Sequence, residues 1–258
     1  MIEWFQSIFL GIVQGLTEFL PVSSSGHLTI FQHFLGMNEA GITFDILLHA
    51  ATLVSVIICY RKDIWELLKH PFQKYVLMII IACIPAGIAG VFFGDFVSAL
   101  FDSVWVPALA LLITATILFI ADRQKGTKLG KEITVRMALF IGLFQMFALV
   151  PGISRSGSTI FAALLCGLKR TEAAKFSFIM SIPVILGAFL LEVKDVVVET
   201  GGFYIAPAHI AGAVAAMVSG IIAIKLVVNL LNNGKFRYFG VYCTFFAVVT
   251  IILLALGM

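Results

Sequence analysis

Long apolar stretches alternate with short polar ones along the chain. Several of them carry almost no charge over about 20 residues, the length that an α-helix needs to cross the hydrocarbon of a bilayer. They lie at 41–60, 76–94, 104–121, 173–191, 207–230 and 238–257. The pattern therefore predicts six transmembrane helices.

Two further apolar stretches, 1–36 and 137–168, are interrupted by polar residues. We call the interruptions segment one (residues 14–27) and segment two (residues 145–159). The chain is 61% hydrophobic and 12% charged, with a mean hydropathy of +1.09, which leaves too little polar surface for a water-soluble globule. We therefore expect a single membrane domain over residues 1–258 whose function lies in the two segments.

The loops between the predicted spans alternate in charge. Residues 61–74 and 122–136 are basic, whereas 95–102 and 192–199 are acidic. Basic residues collect in cytoplasmic loops, so the acidic loops are predicted to be external. A single crossing by 137–168 would place the basic residues that follow it outside. We therefore predict that this stretch is re-entrant, a helix, a loop and a helix that return to the same side.

Segment one is partly repeated in segment two, 131 residues further along the chain. The matching residues are Gln14, Ser23, Ser25 and Gly26, which recur as Gln145, Ser154, Ser156 and Gly157. Several matches in the same order indicate a duplication, with repeats at 1–121 and 133–257. Three crossings per repeat would invert the second repeat, so 1–36 is predicted to be re-entrant from outside. The alternative is an ordinary crossing helix over residues 4–36, kinked at Pro21.

The predicted fold is thus an all-α polytopic membrane protein. It combines six transmembrane helices with two re-entrant helix-loop-helix segments in an inverted-topology repeat. Sites in such repeats form where the two broken helices meet near the middle of the membrane. The four cysteines are scattered singly and are expected to be packing residues. No basic run interleaved with aromatic residues suggests nucleic-acid binding, and the oligomeric state stays open, a homodimer included.

Gln14 and Glu18 of segment one are one helical turn apart and so share a helix face. A carboxylate at membrane depth is costly, which favours a functional role, although an ion pair between helices is the alternative. Their oxygens are candidate ligands for a divalent cation, Mg²⁺ or Ca²⁺. The next helix begins with groups that can bind phosphate, namely Ser23, Ser24, Ser25 and Gly26.

The nucleophile is not decided by spacing. His27 and Ser24 are both candidates to attack phosphorus, and either could instead activate a water molecule. Asp45 and His49 lie one turn apart in the first predicted span. They are candidates for a proton relay or for support of the site, and an ordinary interhelical hydrogen bond is the alternative.

Segment two contributes a positively charged side chain. Arg155 is the only basic residue between Arg136 and Lys169, and its planar guanidinium suits phosphate oxygens. Other candidate phosphate ligands beside it are Ser154, Ser156, Gly157 and Thr159. Anion-binding groups inside a lipid-facing protein indicate phosphoryl chemistry on an amphiphile. The alternative is that Arg155 only pairs with Glu18.

Three runs of sequence carry a family resemblance. QGLTEFLPVSSSGH at 14–27, PGISRSGST at 151–159 and FDILLHAATL at 44–53 resemble the bacterial undecaprenyl-pyrophosphate phosphatase family, also called bacitracin-resistance proteins. The resemblance extends over essentially the whole chain. It implies dephosphorylation of undecaprenyl pyrophosphate to the monophosphate, with release of phosphate and recycling of the lipid carrier for peptidoglycan synthesis, and an association with bacitracin resistance.

The resemblance also implies partners and a place. The partners are undecaprenyl pyrophosphate, shorter polyprenyl pyrophosphates and membrane lipids. The cellular location is the bacterial plasma membrane, where the active site depends on a divalent cation and opens to the external side. The family's essential histidine falls on His27, its motif serines on Ser23 and Ser24, and its arginine on Arg155. Gln14 stands where the family accepts Glu or Gln, which implies weaker metal binding here.

Two other classes of function compete with a lipid pyrophosphatase. Inverted repeats with broken helices are a transporter architecture, so a flippase for a phospholipid is one rival. A non-catalytic lipid-phosphate binding protein is the other. Release of phosphate by the purified protein separates the enzyme from both.

Overall fold

A computed structural model describes residues 2–36, 42–200, 205–232 and 234–257. Within these ranges the chain forms twelve α-helices, one short 3-10 helix at Gly130–Glu132 and no named strand. The α-helices are α1 Ile2–Phe19, α2 Ser24–Phe34, α3 Ile42–Cys59, α4 Arg61–Lys69, α5 Lys74–Phe92, α6 Gly94–Phe101, α7 Trp105–Asp122, α8 Val135–Phe147, α9 Arg155–Leu165, α10 Arg170–Thr200, α11 Pro207–Asn232 and α12 Phe236–Ala255.

The described residues contain five helices long and apolar enough to cross a membrane, and these are α5, α7, α10, α11 and α12. Helix α3 meets α4 at a bend of 80°, and the two counted as one span give the sixth. The prediction of an all-α, multi-spanning protein is confirmed. Helix α10 continues to Thr200, well beyond the predicted end at 191. Residues 1, 41 and 258, which the predicted boundaries include, lie outside the described residues.

Helices α1 and α2 form a hairpin. The rings of Phe9 in α1 and Phe31 in α2 lie 5.2 Å apart, centroid to centroid. Nearer the open end, the Gln6 side-chain amide donates to the carbonyl oxygen of Leu35 at 3.4 Å. In one continuous helix, Phe9 and Phe31 would be about 33 Å apart. The alternative of an ordinary crossing helix over residues 4–36 is therefore wrong, and the chain turns back at the break.

Helices α8 and α9 form a second hairpin. The rings of Phe144 and Phe161 lie 5.6 Å apart. The chain before α8 meets the chain after α9, because Lys128 donates its N–H to Gly167 O and accepts from the N–H of Lys169, both at 2.9 Å. Entry and exit of this stretch are thus at the same level, the shape predicted for a re-entrant segment.

The basic loops gather at one end of the bundle. Lys175 forms an ion pair with Asp63, and the Lys74 ammonium donates to the carbonyl oxygen of Lys131 at 3.3 Å. The loops before α5, before α8 and before α10 are therefore neighbours. This arrangement agrees with the single side to which the charge pattern assigns them.

Each hairpin packs on a helix of the other predicted repeat. Helix α1 lies against α11, and α8 lies against α5. Both contacts depend on small residues, because a Cβ atom at Gly11 would overlap the backbone of Gly212, and one at Gly142 would overlap the carbonyl of Ala82. Because each hairpin packs on a helix from the other half of the chain, the two helix breaks face each other in the bundle. The repeat boundaries at 1–121 and 133–257 stay a prediction.

The outer faces of the long helices are apolar. On α5, Ile80, Ile84 and Ile88 form one exposed face, spaced one turn apart. Exposed apolar surface of this extent needs lipid to cover it. Helix α4 carries exposed Trp65 and Leu68 beside its lysines, a composition typical of a helix at the membrane surface.

Candidate active site

A cavity of about 170 Å³ lies where the breaks of the two hairpins meet α10. Its polar lining consists of Thr17, Glu18, Ser23, Ser24, Ser25, His49, Ser154, Arg155 and Glu192. Apolar side chains, among them Leu149, Val184 and Phe189, form the rest of the wall. Phe101 of α6 also lines it, which places the cavity toward the end of the bundle opposite the basic loops.

An ion pair joins the two segments across this cavity. Glu18 Oε1 accepts a hydrogen bond from Arg155 Nη2 at 2.5 Å, and both side chains are largely buried. Arg155 Nη1 is also buried and has no hydrogen-bond partner among the described residues. The guanidinium therefore compensates the carboxylate and keeps a donor for a phosphate oxygen.

The second oxygen of Glu18 binds Ser24. The Ser24 hydroxyl donates to Glu18 Oε2 at 2.6 Å. Ser24 is the first residue of α2, and it reaches Glu18 because the chain turns back at the break. A hydroxyl that donates to a carboxylate in a cavity is the arrangement of an activated nucleophile and its base. Glu18 thus lies between Ser24, a candidate nucleophile, and the positively charged Arg155.

Both second helices of the hairpins begin with the same serine cap. Ser23 Oγ accepts from the N–H of Gly26 at 3.3 Å, and Ser154 Oγ accepts from the N–H of Gly157 at 3.1 Å. These caps explain why the helices start there, since a serine oxygen satisfies one of the free N–H groups of a first turn. Both helix N-termini face the cavity and give it positive ends suited to an anion.

The structure brings only some of the predicted phosphate ligands to the cavity. The Ser156 hydroxyl donates to the carbonyl of Leu20 at 3.2 Å. The Thr159 hydroxyl lies 2.6 Å from that of Ser177 and is fully buried. Ser23, Ser25 and Ser154 line the cavity, whereas Gly26, Ser156, Gly157 and Thr159 are not among its lining residues.

His27 does not meet Glu18. It is buried on the other side of α2, where its Nδ1 lies 2.7 Å from the carbonyl oxygen of Ser23 and its Nε2 lies 2.8 Å from the Tyr242 hydroxyl. The ring of Phe246 stacks on it at 4.3 Å. Both ring nitrogens of His27 therefore have partners other than Glu18 and the Ser24 hydroxyl.

Gln14 and Glu18 are neighbours, as predicted. The Gln14 amide nitrogen donates to Glu18 Oε2 at 3.2 Å, and Gln14 Oε1 is buried without a hydrogen-bond partner among the described residues. Throughout the described residues, there is no group of three or more His, Cys, Asp or Glu side chains that could hold a metal. Two protein oxygens fit a hard cation whose remaining ligands come from phosphate and water.

The side chains of Asp45 and His49 have different hydrogen-bond partners. His49 lines the cavity, and its Nδ1 donates to the backbone oxygen of Asp45 at 2.9 Å. The Asp45 carboxylate instead accepts from the Gln32 amide at 2.9 Å and ties α3 to α2. An interhelical hydrogen bond, the alternative for this pair, is thus present at Asp45, and a role of the pair as a proton relay or as support of the site stays a prediction.

Three residues at or beside the site were missed by the sequence prediction. Glu192 was assigned to an external loop, but α10 extends past it and it lines the cavity. Thr114 holds the second break, accepting from the N–H of Ser154 and donating to the carbonyl of Gly152. Tyr242 contacts His27. Thr114 and Tyr242 lie in uniformly apolar spans, where no pattern singles them out.

Comparisons with known proteins agree with the motifs. The profile of the family described as Bacitracin resistance protein BacA matches residues 7–249. A protein of Carboxydothermus hydrogenoformans named Undecaprenyl-diphosphatase is 43% identical over 257 residues, which cover 98% of each chain. One of Halothermothrix orenii with the same name is 43% identical over 97% of this chain and 98% of its own. Undecaprenyl-diphosphatase 1 of Bacillus licheniformis is 38% identical over 95% and 96%. The resemblance drawn from the motifs is confirmed, and the chain belongs to the bacitracin resistance protein family.

Proposed function

We propose that the protein is an undecaprenyl-diphosphatase of the bacterial plasma membrane, which hydrolyses undecaprenyl pyrophosphate to undecaprenyl phosphate and inorganic phosphate. The observation that carries this proposal is the arrangement of Ser24, Glu18 and Arg155 in one cavity within a lipid-facing bundle. The identity of the lipid is inferred from the names of the relatives. Shorter polyprenyl pyrophosphates fit the same head-group chemistry.

The pyrophosphate head group binds between the two helix breaks. Arg155 Nη1 and the N-termini of α2 and α9 supply donors and positive charge. The isoprenyl tail lies on the apolar wall that includes Leu149, Val184 and Phe189. This placement puts the terminal phosphate next to Ser24.

Ser24 is the nucleophile. Its hydroxyl passes its proton to Glu18 while Oγ forms a bond to the terminal phosphorus, and the anhydride P–O bond breaks so that undecaprenyl phosphate leaves. Arg155 stabilises the charge that develops on the phosphoryl oxygens. A water molecule then attacks the phosphorus of the phosphoserine, the P–O bond to Ser24 breaks, and inorganic phosphate leaves with the protons of that water, while Glu18 returns its proton to Ser24 Oγ. His27 lacks a free ring nitrogen for either step, since both have partners.

A Mg²⁺ or Ca²⁺ ion would be held by Glu18 and by Gln14 Oε1, together with pyrophosphate oxygens. The buried, unpartnered Gln14 Oε1 next to a carboxylate supports this assignment. When bound, the cation supplies neutralisation of pyrophosphate charge. The chain's own part is to keep both oxygen donors on one face of α1.

The cavity opens to the external side of the membrane in this proposal. The basic loops collect at one end of the bundle, and the positive-inside rule assigns that end to the cytoplasm. The cavity lies toward the opposite end, beside α6. An external site would act on carrier lipid released by extracellular wall synthesis.

The test is phosphate release from undecaprenyl pyrophosphate by purified protein in detergent. We expect release by the wild type, and by Thr116→Ala as a control, because the exposed Thr116 hydroxyl bonds to Leu112 O of its own helix. Ser24→Ala and Arg155→Ala should each lose about a thousandfold in rate. Near wild-type release by Ser24→Ala would exclude the serine as nucleophile. Equally little release by all proteins, with lipid flipping in vesicles that depends on Arg155, would favour the transporter.

A further inference from the structure

We propose that Tyr242 and His27 form a brace that holds the backbone of Ser23 and thereby positions Ser24 for attack. Both would then be positioning residues, because neither touches the cavity. This inference rests on the proposed function, which makes Ser24 the nucleophile. It gives a role to His27, whose ring nitrogens bond to Ser23 and Tyr242 outside the cavity.

Ser23 has a backbone conformation that needs support. Its φ is 70°, and among the described residues it is the only non-glycine with a positive φ. Side chains other than glycine rarely adopt this region because Cβ crowds the backbone. At the corresponding break of segment two, a glycine takes the positive φ, Gly152 at 93°. Segment one thus places a serine where segment two uses a glycine nearby, and an additional contact must hold it.

Hydrogen bonds to His27 supply that contact, and their direction follows from chemistry. The carbonyl oxygen of Ser23 can only accept, so His27 Nδ1 carries the hydrogen of the 2.7 Å bond. In a neutral ring Nε2 is then an acceptor, and the Tyr242 hydroxyl donates to it at 2.8 Å. Tyr242 therefore selects the tautomer that can bind Ser23.

Ring stacking fixes the plane of the imidazole. His27 lies nearly parallel to Phe246 at 4.3 Å and to Tyr242 at 5.5 Å, with 7° between the planes in each case. Tyr242 and Phe246 belong to α12, whereas His27 belongs to α2. The second repeat therefore sets the orientation of a ring in the first.

The consequence falls on Ser24. Its peptide nitrogen is bonded to the carbonyl carbon of Ser23, so rotation of that peptide would move the hydroxyl away from Glu18, 2.6 Å distant. The contacts of Arg155 do not depend on this peptide. Loss of the brace should therefore affect the chemical step more than substrate binding.

Tyr242→Phe tests the brace, because it removes one hydroxyl and keeps the ring. We expect kcat to fall about tenfold with KM nearly unchanged. Tyr238→Phe is the matched control, since Tyr238 is exposed one turn earlier on α12 and the hydrogen bond of its hydroxyl within the described ranges is to Arg237. It should behave as the wild type.

A second readout does not need activity. In protein labelled with ¹⁵N-histidine, His49 and His27 should both be protonated at Nδ1, because each donates from that nitrogen to a backbone carbonyl oxygen. The variant His27→Gln should remove only the signals of His27, which identifies them. Tyr242→Phe should shift the Nε2 resonance of His27, and Tyr238→Phe should not. An Nε2-protonated tautomer, an unmoved resonance or an unchanged kcat in Tyr242→Phe would each overturn the brace. If the wild type releases no phosphate, the proposed function fails instead, and the imidazole signals alone decide whether the brace exists.

Discussion

Segment one and segment two begin their second helices with the same cap but with different chemistry. In both, a serine caps the helix, Ser23 in the first and Ser154 in the second. The next residue is Ser24 in segment one and Arg155 in segment two, at the spacing of 131 that relates the repeats. By the same spacing, Glu18 corresponds to Leu149. The predicted repeat thus offers two equivalent places, which we propose are used for a nucleophile with its base in segment one and for the positive charge of Arg155 in segment two.

The two breaks are also held by different means. Helix α7 holds segment two through the Thr114 hydroxyl, and the residue with a positive φ there is Gly152, a glycine that adopts it without strain. Helix α12 holds segment one through aromatic rings and His27. Helices α7 and α12 pack on each other, so the supports of both breaks share one interface.

The largest expected effect comes from exchanging the charges of the two halves. In the double variant Glu18→Arg, Arg155→Glu the ion pair can form again. The carboxylate, however, now lies in segment two, and it no longer contacts Gln14 and Ser24. We expect phosphate release to fall about a thousandfold or more, because the base no longer faces the nucleophile. The measurement is phosphate release from undecaprenyl pyrophosphate.

The single variants serve as controls for folding. Each leaves two like charges in a buried site and should lower stability by about 3–5 kcal/mol, whereas the double variant should regain part of that loss. Thermal unfolding in detergent measures both effects. If the double variant recovers activity as well as stability, the pair serves only to hold the helices together, and the division of labour between the segments is refuted.

A smaller effect is expected at the support of segment two. Thr114→Val keeps the shape of the side chain but removes the hydroxyl that accepts from Ser154 N–H and donates to the carbonyl of Gly152. Leaving those buried groups without a partner should destabilise the protein by about 1–3 kcal/mol, observed as a lower Tm.

Thr116→Val, on the same helix, is the matched control for Thr114→Val. Thr116 is exposed and its hydroxyl bonds within its own helix, so its loss should change stability by less than about 0.5 kcal/mol. Equal Tm values for the two variants would show that Thr114 does not hold the second break.

The architecture could be predicted because lipid imposes a strong pattern on sequence. Apolar runs located the spans, and loop charges located the second hairpin before any repeat was considered. Helices α4 and α6 were missed because they are short, and α4 is rich in charge. The extension of α10 was missed because charged residues after 191 look like a loop, although they continue the helix toward Thr200.

The site could be predicted only in part. Glu18 and Arg155 stood out because charges are rare at membrane depth, and the structure joins them. The direction in which His27 points could not be derived, because the chain reverses between Glu18 and His27 and helical spacing does not carry across the reversal. Thr114 and Tyr242 could not be found because lipid-facing and protein-facing positions are both apolar in a membrane helix, so the sequence barely marks the faces.

The smallest expected effect concerns the glutamines of the two repeats, Gln14 and Gln145. Both bury a side-chain oxygen without a hydrogen-bond partner among the described residues. Only Gln14 lies beside a carboxylate, because Leu149 stands in segment two where Glu18 stands in segment one. Gln14→Glu should therefore create a pair of carboxylates and raise the affinity for Mg²⁺ or Ca²⁺ about tenfold.

Thermal unfolding gives a readout of this change that is independent of catalysis. Without a cation, Gln14→Glu should lower Tm, because two neighbouring buried carboxylates repel each other, and added Mg²⁺ or Ca²⁺ should restore it. Gln145→Glu should lower Tm as well, but the cation should not rescue it, since no second carboxylate lies on that helix face. Rescue of both variants, or of neither, would mean that the cation does not distinguish the segments, and Gln14 would then be a packing residue like its counterpart Gln145.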